Sequence, residues 1–299
     1  MMKTAHVLGD LELRVAAGER LSRADVERVF QCPDLVSIGV VGERARLAVT
    51  GNRVTFGRVI HVDAAGAVDA HGDAGEVRLV GAPATVDDAR TRVRAGAALA
   101  AGRLLTGFAL ADLAVLCGND SGRLTELARI LAGDGLTAVA EVELDRTTSD
   151  EALIAQVQAV VAGGLGAWRL TVSEAADRLQ LIERACAVQV ATGAVRAFAP
   201  LPRVDRADLP STGYDDVKTV AAARLRCADI ECIQVDWPLY GPKLAQVAIT
   251  FGANDVDGVS AVEDNGLGSR RLPLEDIRRQ IRAAGGEPVE RDAGYRLRN

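Results

Sequence analysis

Residues 234–258 read Gln234-Val-Asp-Trp-Pro-Leu-Tyr-Gly-Pro-Lys-Leu-Ala-Gln-Val-Ala-Ile-Thr-Phe-Gly-Ala-Asn-Asp-Val-Asp-Gly258. The apolar run Cys232–Val235 that leads into this stretch has the length and bounds of a buried strand. Pro238 falls where a helix starts, and residues 241–251 carry a helical pattern. A shorter strand resumes at Asp255–Val259. Strand, helix and strand in close succession are the unit of a parallel sheet or barrel, since parallel neighbours need a long crossover.

The same rhythm extends backwards and forwards from this unit. Candidate strands are Val77–Val80, Leu113–Leu116, Ala138–Leu144, Trp168–Val172 and Ala194–Ala199, preceded by the β-branched, apolar stretch Val54–Val62. Candidate helices lie at 85–102, 121–132, 150–162, 174–191, 214–226 and 274–284. The strands read as apolar on both faces, as expected where helices cover them. Residues 1–52 read as a helical segment, with Ser22 capping a helix through Phe30 and Asp34 capping another through Arg46. The barrel then occupies 53–299. Only Asp63–Gly75, rich in Gly, Ala and Asp, breaks the rhythm; it reads as a long loop with nothing to bury.

Composition narrows the function classes. The 299 residues are 48% apolar and 25% charged, enough for a barrel-sized core; aromatics are only 3%, so Ala, Val and Leu must fill it. The net charge is −6 and no basic cluster tracks a phosphate backbone, which argues against nucleic-acid binding. No run of 18 uncharged apolar residues predicts a membrane span, and acids near the N-terminus interrupt any signal-like run. The expected location is cytoplasmic. Five scattered cysteines, Cys32, Cys117, Cys186, Cys227 and Cys232, read as reduced thiols.

Several sites carry two readings. Asp255 and Asp257, with Asn254 beside them, either hold ribose hydroxyls or a metal at a strand end, or form a turn relieved by Gly258. Asp236, Trp237 and Tyr240 gather at one strand mouth; they either hold an aromatic ring or form a packed strand-to-helix turn, and scarcity of aromatics favours the pocket. His61, Asp63 and His71 have imidazole and carboxylate spacing suited to a metal, against the reading of a solvated loop, which is favoured. Gly118-Asn-Asp-Ser-Gly122 lacks a P-loop's Lys-Ser/Thr and reads as a helix cap. Gly163-Gly-Leu-Gly166 precedes a strand and reads as a helix stop. Cys227 and Cys232 are spaced unlike a zinc knuckle and read as small buried hydrophobes.

The opening stretch, the turn Ser211-Thr-Gly-Tyr-Asp-Asp216, the strand Phe198-Ala-Pro-Leu-Pro202 and the ending Pro288-Val-Glu-Arg-Asp292 resemble the radical-SAM enzymes of futalosine-type menaquinone synthesis, aminofutalosine synthase and cyclic dehypoxanthine futalosine synthase. Asp34–Gly39 and Gly51–Phe56 are similar to that family's entry into its first strand. The resemblance implies the partial (β/α) barrel of radical-SAM enzymes, a 4Fe-4S cluster and S-adenosylmethionine. In the family, a Cys-x3-Cys-x2-Cys loop follows the first strand; no such spacing occurs here, and no cysteine lies between Cys32 and Cys117. The family's His-x-Ala-Gly element after the last acidic strand is also missing, with Asn265-Gly-Leu-Gly268 following Glu263.

The expectation is therefore an α/β protein, a TIM-like (β/α) barrel behind a helical segment. It is read as a degenerate relative with no cofactor, in a binding or accessory role. Its partners would be a small molecule and an active paralogue or another menaquinone enzyme. The alternative is a cluster-independent enzyme acting on a menaquinone precursor by acid–base chemistry at Asp236, Asp255 and Asp257.

Overall fold

The structure is a computed structural model that describes residues 7–63, 66–67, 72–147, 149–174, 177–203, 213–261 and 273–298. Three helices come first: α1 (Gly9–Ala16), α2 (Arg23–Gln31) and α3 (Leu35–Thr50). Both expected caps form. Ser22 and Asp25 close a capping box on α2, and the Asp34 carboxylate accepts from the N–H groups of Val36 and Ser37 on α3. The chain then runs through β1 (Arg53–Asp63), β2 (Gly66–Ala67), β3 (Glu76–Leu79), α4 (Val86–Ala100), β4 (Leu104–Ala109), α5 (Leu110–Leu116), α6 (Ser121–Gly133), β5 (Ala138–Glu143) and α7 (Asp150–Ala162). It continues with β6 (Arg169–Val172), α8 (Arg178–Thr192), β7 (Ala197–Pro202), α9 (Gly213–Arg226), β8 (Cys232–Asp236), α10 (Trp237–Thr250), β9 (Asp255–Ser260), α11 (Pro273–Ala283) and β10 (Glu287–Arg291).

β1, β3, β4, β5, β6, β7, β8 and β9 pair in parallel in that order, and β9 returns to β1. The result is a closed eight-stranded barrel with helices outside. The resemblance implied a partial barrel; the β1–β9 pairing closes it. β10 lies parallel along the first half of β1, from Arg53↔Glu287 to Gly57↔Arg291.

Two expectations about the strands are corrected. Leu113–Leu116 is helical, part of α5, whose Leu110, Leu113 and Ala114 are buried at helical spacing. The strand of that repeat is β4, where Thr106 and Gly107 break the apolar run. The strands are also not apolar on both faces. In β3, Val77 and Leu79 join the same apolar cluster as Ala89 and Val93 of α4, while Glu76 and Arg78 are buried on the opposite face. The interior of the barrel is therefore polar.

The N-terminal helices bury Leu11, Val29, Ile38 and Val41 against Ala221 and Leu225 of α9. They press close enough that a Cβ on Gly42 would stand 2.4 Å from the Phe251 carbonyl oxygen. Gly42→Ala should thus cost about 1–3 kcal/mol, the usual range for overpacking a tight contact. Urea denaturation checks this; an unchanged midpoint would mean that α3 does not dock this closely.

Candidate functional site

Alternation along the strands delivers charged side chains to the barrel axis. Arg78, Arg169 and Arg291 meet Glu76, Asp255 and Asp257, all six at least nine-tenths buried. Arg291 donates to both oxygens of Asp255, at 2.7 and 2.8 Å, and to Asp257 at 3.0 Å. Arg78 donates to both oxygens of Glu76, at 2.7 and 2.9 Å, and lies 2.9 Å from Asp257, to which Arg169 also donates. The remaining lone pairs are taken by neutral donors: Thr55 and Gln234 bond Asp255 at 2.5 and 2.6 Å, and Thr106 bonds Glu76 at 2.5 Å. Buried carboxylates in this state need such complete partnering. Burial alone would raise the Asp257 pKa, but Arg78, Arg169 and Arg291 hold it well below the usual carboxylate range.

The three arginines and three carboxylates balance. Toward the C-terminal strand ends the balance shifts. Glu141 and Glu143 of β5 and Asp236 at the end of β8 lie there with Arg203, whose Nε is 3.3 Å from Glu141 and whose Nη2 is 3.4 Å from Asp236. Burial, and then the charge of Asp257, push the Asp236 carboxyl up. Burial also raises Glu143, against a 2.9 Å bond from the Ser173 hydroxyl. The second oxygen of Glu143 is buried with no hydrogen-bond partner among the described residues. His61, near the end of β1, has its pKa lowered first by the protein packed around it and then by Arg78.

The residues singled out from the sequence fall into distinct places. Asp236 caps α10 and faces Arg203. Trp237 opens α10, half-buried between two apolar clusters, and Tyr240 donates its hydroxyl to the Pro202 carbonyl. Asn254 is a structural pin. Its carboxamide oxygen accepts from Ile233 N–H and from Arg224, and its amide donates to the Glu231 carbonyl. Asp255 and Asp257 are enclosed by arginine, at most 1% exposed. His61 and Asp63 end β1, while His71 lies outside the described residues. The expectation that Asp63–Gly75 buries nothing is corrected by Ala74, which is 1% exposed. Sequence reading missed Arg78, Arg169, Arg291, Gln234 and Tyr295. The available signal was the alternation of charged and apolar residues in Glu76-Val-Arg-Leu79 and Arg169-Leu-Thr-Val172.

Comparison with known proteins agrees with this architecture. Residues 198–299 match the family described as the CofH/MqnC C-terminal region. The chain is 33% identical over 134 residues to the 5-amino-6-(D-ribitylamino)uracil–L-tyrosine 4-hydroxyphenyl transferase of Archaeoglobus fulgidus, covering 40% of this chain and 38% of that one. It is 35% identical over 134 residues to the aminodeoxyfutalosine synthase of Thermus thermophilus, covering 40% and 36%. The matched region thus spans little more than a third of either relative. Among solved structures, methylornithine synthase superimposes with a TM-score of 0.67 at 12% identity, over 93% of this chain and 97% of that one, a likeness of fold. No described helix is long and apolar enough to cross a membrane.

These relatives correct the expectation of no cofactor. They are radical-SAM enzymes that use a 4Fe-4S cluster and S-adenosylmethionine, so the family points to cofactor use. The cluster, however, does not fit the thiols of this chain. Cys32 lies in the N-terminal helical cluster, Cys117 just past α5, Cys186 on α8, Cys227 just past α9 and Cys232 at the N-terminal end of β8. Cluster ligation needs three thiolates on one face, and among the described residues no group of three metal-ligating side chains converges.

The ionic interior sets two expectations. Asp257→Ala strands buried guanidinium groups and should cost about 3–5 kcal/mol in chemical denaturation. Because the folded pKa of Asp257 lies below the unfolded value of about 3.9, its contribution is complete above that pH and is lost as pH falls through the folded value. Wild-type stability should therefore drop below about pH 4, and Asp257→Asn should flatten that limb. A steep acid limb retained in Asp257→Asn would place the dependence elsewhere.

Proposed function

We propose that this chain, a radical-SAM-family barrel carrying the CofH/MqnC C-terminal region, is a degenerate member that acts by binding. The ligand site is the acidic layer of Glu141, Glu143 and Asp236, bridged by Arg203. The observation that carries this reading is the buried, unpartnered oxygen of Glu143, whose own carboxyl is raised by burial and by the charge of Glu141. An ionised carboxylate there accepts from an ammonium group; a neutral one both donates to and accepts from a hydroxyl. Amine- and polyol-bearing small molecules satisfy both.

The relatives' names fit this chemistry, since they include a ribitylamino compound and tyrosine. S-adenosylmethionine carries an amine and a ribose and stands among the ligands to test. No step is routed through an iron–sulfur cluster. An accessory role beside an intact paralogue or another menaquinone enzyme completes the reading.

A second reading rests on the raised pKa of Asp236. With Arg203 and Glu141 around it, Asp236 fits a general acid in a cluster-independent reaction on a menaquinone precursor. Turnover without S-adenosylmethionine that disappears in Asp236→Asn would establish that reading.

Isothermal titration of protein purified without oxygen tests the first. S-adenosylmethionine, tyrosine and ribitylaminouracil are the ligands, and at least one should bind. Glu143→Gln should weaken binding by about tenfold, the scale of one charge-assisted hydrogen bond. Iron and sulfide analysis of the same sample is the second arm. A stoichiometric four-iron cluster, or no heat with any of the three, would end the binding reading.

A further inference from the structure

Where α8 packs against α9 on the outer wall, two thiols face each other. Cys186 on α8 and Cys227 just past α9 hold their sulfurs 3.1 Å apart. Cys227 is buried and Cys186 half-buried, at the edge of a surface cavity of about 250 Å³ lined also by Arg20, Glu183, Arg226 and Asp229. The backbone fixes both sulfurs, Cys186 against the Arg226 carbonyl and Cys227 against the Ile182 carbonyl, each at 3.7 Å. Closing to a disulfide requires a further approach of only about 1 Å, to the bond length of about 2.05 Å.

We infer that Cys186 and Cys227 form a reversible oxidation site, at which a hydroperoxide entering the surface cavity cross-links α8 to the end of α9.

The pair is asymmetric in the required sense. The contact with Cys227, with the Arg226 charge nearby, holds the Cys186 thiol below its ordinary pKa; the same contact and burial hold Cys227 well above. Cys186, the half-buried sulfur at the cavity edge where the peroxide enters, is the attacking thiolate, and Cys227, buried behind it, resolves. It takes the distal oxygen of ROOH, releasing ROH after protonation and leaving a sulfenic acid. The Cys227 sulfur then attacks that sulfenic sulfur, forming the S–S bond and releasing water. Two thiols lose two electrons and two protons, and the peroxide is reduced to alcohol and water.

The other three thiols serve as internal controls. Cys32, Cys117 and Cys232 are buried, and burial pushes Cys117 and Cys232 up, so they are poor nucleophiles. Cross-linking would also reach the clasp that orders the entry to β8 and β9. Arg224, three residues before Cys227, bonds the Gly252 carbonyl and the Asn254 carboxamide.

The test is cumene hydroperoxide added to the reduced full-length protein, followed by alkylation and peptide mapping. Two of the five thiols should be lost, in one peptide pair joining Cys186 to Cys227, and recovered with dithiothreitol. Their loss should run at least about tenfold faster than that of the other three, the scale set by thiolate fraction. Cys227→Ser should instead accumulate a dimedone-trappable sulfenic acid at Cys186. The mapping on unaltered protein needs no variant to fold. Oxidation spread evenly over the five thiols, Cys186 proceeding to sulfinic acid without a cross-link, or an inert pair in excess peroxide would each overturn the assignment.

Discussion

The barrel depends on a set of charges that must be complete to be tolerable. Removing Arg78, Arg169, Arg291, Glu76, Asp255 and Asp257 from water costs several kcal/mol per ion, and only dense mutual pairing offsets that. The pairing here is dense because each strand supplies a fixed piece. β3 gives Glu76 and Arg78, β6 gives Arg169, β9 gives Asp255 and Asp257, and β1, β4 and β8 give Thr55, Thr106 and Gln234 to the leftover lone pairs. A one-residue slip in any strand would turn its charges into the apolar layer beneath the helices. The ionic interior therefore specifies register at least as much as it supplies stability.

It also explains β10. That strand lies outside the ring of eight, yet its last residue, Arg291, is the one that binds both Asp255 and Asp257. The approach is made possible by Gly57, where a Cβ would stand 2.7 Å from the Arg291 guanidinium, and is completed by Tyr295, whose ring lies 4.2 Å from it. Gln234 joins the two ends of this arrangement, bonding the Tyr295 hydroxyl at 3.1 Å and Asp255 at 2.6 Å. Arg291 at the end of β10 and Tyr295 just beyond it are thus part of the barrel's interior and not an appendage to it.

Much of the wall was legible in the sequence because helix and strand periods are local. Residues 150–162, 121–132 and 232–235 fell within a residue of the observed elements, and Ser22 and Asp34 cap as their side chains dictate. Leu113–Leu116 misled because a four-residue apolar run fits either period, and the true strand beside it is broken by Thr106 and Gly107. The site was less legible. Asp255 and Asp257 stood out, but whether a carboxylate is open or enclosed depends on arginines more than thirty residues away in either direction, as the separations to Arg291 and Arg169 show. Asp236 differs from Asp257 by one strand in the barrel; burial and the Asp257 charge raise the first, whereas the second is lowered by arginines in direct contact with it.

The same accounting separates the scaffold from the chemistry of its relatives. Every member of the ionic interior comes from a strand, and none comes from the described residues 72–75 that lead into β3. Asp73, just before β3, pairs with Arg58 and Arg298. A change confined to residues 72–75 therefore leaves the charges that fix the barrel in place. The scaffold is thus held by charges that the strands themselves supply, while Arg203 stands between Glu141 and Asp236 at the C-terminal strand ends.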